Sequence, residues 1–155
     1  MERIFRYPVT VGPESIDVLG HTNNKEYLRW MEQAALAHSD SLGWPMRRYL
    51  AAGFVFVASR HVIEYLRPTF KGDELVLYTW VETMEGARSR RIFCLKKGTK
   101  TCMQAMTEWT LVDMREARSK AIPADLAKDF PIVTPEDAVL KELGLRVKFQ
   151  NSSRN

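Results

Sequence analysis

One feature limits the folds open to this chain more than any other. A single long amphipathic helix is followed by a run of strands, with no second helix of comparable length. Tyr27, Leu28, Met31, Ala34, Ala35, His38 and Leu42 recur at helical spacing on one face, with Lys25, Arg29, Glu32 and Asp40 opposite. Asn23 can cap this helix, and Glu26, three residues on, completes a capping box. Gly43 offers a left-handed terminus and Pro45 blocks continuation. From Phe54 the pattern turns strand-like. FVFVASRHVIEYL, ELVLYTWVET, RSRRIFCLKK and TCMQAMTEWTLVDM are rich in β-branched and aromatic residues, and the short turns FKGD, MEGA and GTK separate them. Four strands joined in this way are expected to pair antiparallel with their chain neighbours.

RIFRYPVTVG, residues 3 to 12, reads as an opening strand that Pro8 confines to an edge or a bulge. A helix with so broad an apolar face must bury it, and only the sheet is large enough to cover it. The expected architecture is therefore α+β: a long antiparallel sheet curled around one central helix. Its outer face is expected to be open and its edges suited to self-association. A short helical turn is expected behind Pro123. TPEDAVLKELG predicts a further helix with Thr134 as cap and Pro135 in the first position, and the tail NSSRN reads as disordered. Residues 1–127 are thus expected to form the domain proper and 128–155 a C-terminal helical extension and tail of it.

Composition narrows the function. At 155 residues the chain suits a single domain, and 45% hydrophobic with 27% charged residues fits a soluble globular class. MERIFRYPVTV has no apolar run behind its charges and no stretch approaches ~20 apolar residues, so neither a signal peptide nor a membrane span is expected and the cytoplasm is the default. Cys94 and Cys102 fit no metal-ligand spacing; they flank KKGTK and are expected as reduced thiols, able to face each other across a hairpin. A net charge of +4 suits an anionic ligand. From Gly86 to Thr107 six basic residues (Arg88, Arg90, Arg91, Lys96, Lys97, Lys100) meet no acidic one. Nucleic acid ranks last among their targets, because Phe93 alone offers a stacking surface.

The loop IDVLGHTNNKEY, residues 16 to 27, carries more polar chemistry than a helix cap requires. A helix start presents unpaired N–H groups and partial positive charge, which form an oxyanion hole when aimed at a carbonyl. Asp17, on the loop leading in, is placed to act as a general base on water or as a nucleophile. Gly20 permits a tight turn and a close ligand. Capping alone explains Asn23, Asn24 would act through its backbone N–H, and His21 is a surface histidine as readily as a catalytic one. His38 and His61, on an apolar helix face and in a strand, read as packing residues.

D-V-L-G-H-T-N-N-K-E-Y at 17–27 resembles the loop-helix signature of the hot-dog-fold acyl-CoA thioesterases, the group that includes 4-hydroxybenzoyl-CoA thioesterase. The likeness continues in I-E-Y-L-R-P-T-F-K-G-D-E-L at 63–75 and in A-I-P-A-D-L at 121–126. The resemblance implies a long sheet wrapped around a central helix. It makes Asp17 the catalytic carboxylate, gives Asn24 the N–H that polarises the thioester carbonyl, and identifies Gly20 as the loop glycine. His21 and Asn23 match a variant seen in plant acyl-carrier-protein thioesterases. Three positions depart: Ser15 replaces a second acidic residue, Asn24 a common tyrosine, and Leu19 the asparagine of the plant enzymes.

The resemblance further implies an acyl-CoA or acyl-ACP substrate, neither metal nor cofactor, and a homodimer often paired into a tetramer. An acyl tunnel would run beside the helix, where Tyr27 and Met31 lie. Arg88 and Arg90 are the favoured phosphate ligands, since Ser89 resembles a family serine. Three other readings stay open: a hot-dog dehydratase or hydratase, a non-catalytic acyl-CoA-binding module, and nucleic-acid binding through the basic hairpin.

Overall fold

The computed structural model describes residues 3–149; the tail NSSRN lies outside them. In chain order the elements are β1 (Phe5–Thr10), α1 (Asn24–Ser41), α2 (Met46–Ala52), β2 (Phe54–Tyr65), β3 (Glu74–Glu85), β4 (Arg88–Lys97), β5 (Lys100–Asp113), β6 (Arg118–Ser119), α3 (Ala124–Ala127) and α4 (Ala138–Glu142). The sheet is antiparallel with strand order β1-β3-β4-β5-β2, and β6 adds to β5. The architecture is α+β, with α1 against the inner face.

The helix spans what its spacing predicts, and Gly43 closes it at φ +90. Its buried face also takes in Trp30 and Ser39, while Leu28 and Leu42 are only half-buried. Tyr27, Trp30, Met31, Ala34 and Ala35 pack on Leu75, Leu77, Phe93, Leu95, Met103 and Ala105 of the sheet. Two alanines in that face let helix and sheet approach closely. Pro45 blocks α1 as expected, but it then caps a second short helix, α2.

One strand pairing differs from expectation. The FKGD turn does not fold β2 back on β3: β2 lies at the far edge beside β5, and β3 pairs with β1. Eight residues, 66–73, span up to roughly 26 Å when extended, enough to cross three strand spacings of about 4.8 Å. The crossover is tied down on the way. Leu66 and Arg67 both donate N–H to the Cys102 carbonyl, and Thr69 meets the start of α1. Pro8 sits on an edge strand, as predicted.

The outer face is not open. Trp80, Ile92, Cys94 and Met106 lie under Val133, Leu140 and Leu145, with Val139, Leu143, Val147 and Phe149 packed around them. The last helix begins at Ala138, later than expected, because Asp137 rather than Thr134 caps it by accepting from Val139 N at 3.1 Å. Cys94 and Cys102 are free and buried, but they do not face each other: Cys94 is opposite Gln104 and packs in the outer cluster, while Cys102 packs in the cluster beneath α1. Burial pushes both thiols up.

Candidate active site

The polar loop closes on itself before the helix begins. Ile16 and Thr22 bridge antiparallel, and the turn between them passes through Gly20 at φ +81, a conformation that glycine adopts without steric cost. Asp17 holds the turn from inside. Its Oδ1 accepts from Leu19 N at 2.9 Å and from His21 N at 3.2 Å, and its own N–H donates to the His21 carbonyl at 2.8 Å. Oδ2 takes part in neither bond.

Three further contacts fix the loop to the helix start. Thr22 donates its N–H to the Thr69 carbonyl at 2.9 Å, and its hydroxyl joins Thr69 and the Tyr27 hydroxyl in a buried chain. Asn23 N donates to the Ser15 carbonyl at 2.7 Å. Ser15 Oγ donates to Glu26 Oε1 at 2.5 Å. The expected capping box is therefore only half formed. Asn23 Oδ1 does cap, accepting from Lys25 N at 3.0 Å, but Glu26 turns away from the Asn23 N–H toward Ser15 and Arg29. Hydrogen bonds from Arg29 and Ser15 hold the Glu26 carboxyl down at about 2, so it stays ionised.

These contacts leave a cleft of about 500 Å³ at the start of α1. Asp17, His21, Asn23, Asn24 and Tyr27 line one side, and Tyr65, Leu66, Arg67 and Pro68 form the other. Asn24 holds the first helical position, where its N–H has no intrahelical acceptor. His21 packs edge-on against Phe70. The Tyr65–Pro68 wall was not singled out from sequence, although the I-E-Y-L-R-P stretch contains it.

The other expected ligand residues lie elsewhere. Met31 is 1% exposed in the core beneath α1. Strand alternation splits the basic hairpin: Arg88 and Arg90 point outward, Ser89 and Arg91 inward. Arg90 is engaged by Glu82 and Glu108, and Lys97 by Asp73. Ser89 and Arg91 instead line a second, mostly apolar pocket beside the C-terminal half of α1. Among the described residues no cluster of His, Cys, Asp or Glu is arranged to hold a metal, and no helix is long and apolar enough to cross a membrane.

Residues 11–130 match the model of a family described as the thioesterase-like superfamily. The long-chain acyl-CoA thioesterase FadM of Escherichia coli (strain K12) is 25% identical over 116 residues, which are 72% of this chain and 85% of FadM. Among solved structures, the 1,4-dihydroxy-2-naphthoyl-CoA thioesterase Slr0204 from Synechocystis superposes with a TM-score of 0.75 at 16% identity, covering 81% of this chain and 94% of that one. SAV2348 from Staphylococcus aureus, solved in complex with CoA, gives a TM-score of 0.80 at 13% identity over 100% of this chain and 94% of its own. At such identities the structural likeness carries the fold.

Proposed function

The chain belongs to the thioesterase-like superfamily, and from that premise we propose that it hydrolyses an acyl-CoA thioester to a free acid and coenzyme A. The observation that carries this reading is the cleft in which a carboxylate and the open N–H groups of a helix start converge. Asp17 takes a proton from water as the oxygen attacks the thioester carbon, or attacks that carbon itself and leaves an anhydride for water to open. The Asn24 N–H and the partial charge of the helix start stabilise the oxyanion, a contribution of about 3–4 kcal/mol per donor. Collapse of the intermediate expels the coenzyme A thiolate, which takes up the proton. Gly20 lets the carbonyl approach, and His21 and Asn23 complete the polar wall.

The assembly in this reading is a two-fold dimer. β2 is a long edge strand with exposed Val57 and Tyr65, and an edge of this kind is a template for pairing. Two-fold pairing runs two β2 strands antiparallel. With the two β2 strands fully overlapped, the Tyr65 end of β2, which walls the cleft, lies opposite the Val55 end of the partner strand. Sedimentation equilibrium is expected to give twice the chain mass of 17.9 kDa.

The direct test is mass-detected release of free coenzyme A from short, long and aromatic acyl-CoAs, with wild type beside Asp17→Asn. Turnover of some member, falling at least ~10²-fold in the variant, supports the reading. Binding of acyl-CoA without turnover of any member overturns it in favour of a binding module.

A further inference from the structure

Arg91 is an arginine where an aliphatic residue would be expected. It lies on β4 in line with Phe93 and Leu95, is 5% exposed, and has no carboxylate partner among the described residues. Among the described residues only Nη1 is bonded, to His38 Nδ1 at 2.9 Å and Thr79 Oγ1 at 3.1 Å. The Nε and Nη2 donors, the edge that grips a carboxylate with two parallel bonds, have no acceptor among the described residues. Burial draws Arg91 down to about 10, which leaves it charged at neutral pH. None of its neighbours among the described residues offsets that charge: His38 is neutral, and burial keeps the Tyr49 hydroxyl protonated. A buried cation without a counter-charge is strongly disfavoured, and an apolar residue of similar volume would pack without that penalty.

The guanidinium lines a pocket of about 70 Å³, room for several waters and so for one carboxylate. Tyr49, Phe56 and Trp109 give it apolar walls, Ser89 adds a hydroxyl, and the buried Trp109 indole N–H lacks a partner among the described residues. We propose that Arg91 binds a carboxylate at the far end of the substrate's acyl group, so that the enzyme acts on monothioesters of dicarboxylic acids. This rests on the hydrolase reading and on the two-fold dimer proposed with it.

Within one chain the pocket and the cleft share no lining residue, and the buried Trp30, Met31 and Ala34 occupy the stretch of α1 between them. Along that helix, Asn24 and Ala35 are eleven residues apart, roughly 16 Å at the helical rise. In the proposed dimer, with the two β2 strands fully overlapped, the partner's pocket would come beside the cleft, since Val55 and Phe56 at one end of β2 line the pocket while Tyr65 at the other end lines the cleft. The acyl group therefore crosses the β2 seam, with its thioester in one protomer and its distal carboxylate in the other.

The test measures kcat/KM on coenzyme A thioesters of matched chain length, methyl-ended against carboxylate-ended, for wild type, Arg91→Met and Arg91→Lys. Calorimetric titration of the free dicarboxylic acids runs beside it. Wild type is expected to prefer carboxylate-ended chains by about tenfold or more, Arg91→Met to lose that preference, and Arg91→Lys to recover part of it. Thermal melts confirm that the variants fold, and the ratio between the two substrate series does not move for a merely structural residue. If wild type turns over both series equally, or Arg91→Met leaves the ratio unchanged, the inference fails while the hydrolase reading stands. If no thioester is turned over but dicarboxylates bind wild type and not Arg91→Met, the subsite stands and the hydrolase reading fails.

Discussion

Arg91 donates an Nη1–H to Nδ1 of His38 at 2.9 Å, and because a guanidinium cannot accept, the imidazole is fixed as its neutral Nε2–H tautomer. Nε2 is buried and has no partner among the described residues, and the ring stacks on Phe5 at 5.0 Å. Burial first, and the Arg91 charge second, pull His38 down to about 3.

That pair gives the protein an acid-sensitive core. The folded pKa of His38 lies below its unfolded value of about 6.5, so between pH 6.5 and 3 the unfolded chain holds more protons. Stability is complete above pH 6.5 and declines as pH falls. Urea unfolding is expected to lose about 2 kcal/mol between pH 6.5 and 4.5, before most carboxylates begin to titrate. His38→Gln should flatten that slope, and an unchanged slope would show that His38 is protonated in the fold.

Ser15 ties the loop to the helix through Glu26. Ser15→Ala removes one hydrogen bond and leaves the Ser15 carbonyl still accepting from Asn23 N. The expected loss of stability is about 1 kcal/mol. A several-fold fall in kcat with KM unchanged would mark Ser15 as positioning the loop, whereas unchanged kcat would confine its role to folding.

At Gly20 the space for a side chain is open, with nothing within 4 Å of an added Cβ, but φ is +81. The cost of Gly20→Ala is therefore conformational, about 1–2 kcal/mol, and is borne by the turn that holds Asp17. The variant should fold, with a modestly lower melting temperature and a larger drop in kcat/KM. Full activity would show that the turn tolerates rearrangement.

The C-terminal extension is expected to be structural. Ending the chain after Ile132 would uncover Trp80, Ile92 and Met106. Removing that much apolar cover should lower the melting temperature and raise binding of a hydrophobic dye. A truncated chain as stable as the whole would sink this assignment.

Sequence reveals the parts whose signals are local. The 3.6-residue period and Gly43 fix α1, and the glycine turns fix β3, β4 and β5 as a meander, because each signal and its consequence lie within a few residues. The position of β2 was hidden, since FKGD looks like a hairpin turn and nothing nearby announces that the chain crosses two strands to reach β1. At the site, Asp17, Gly20 and the Asn24 N–H are readable as loop chemistry, but Glu26 reads as half of a capping box because its competing partners, Ser15 and Arg29, become neighbours only in the fold. The inward turn of Arg91 was visible in the alternation of RSRRIFCLKK, which sets it in register with Phe93 and Leu95. Counting charges along the hairpin obscured it.

The crossover between β2 and β3 also bears on the order in which the molecule is assembled. β3, β4 and β5 meet through short turns, so they can find one another rapidly, whereas β1 and β2 reach their neighbours only by closing loops of tens of residues. The Asp17 turn hangs on Thr69, inside the crossover itself. In refolding followed by amide exchange, protection should come first to the meander and last to His21 and Thr22. On that order the cleft would be the last part of the fold to form, and a newly made chain would lack it until its most distant contacts had closed.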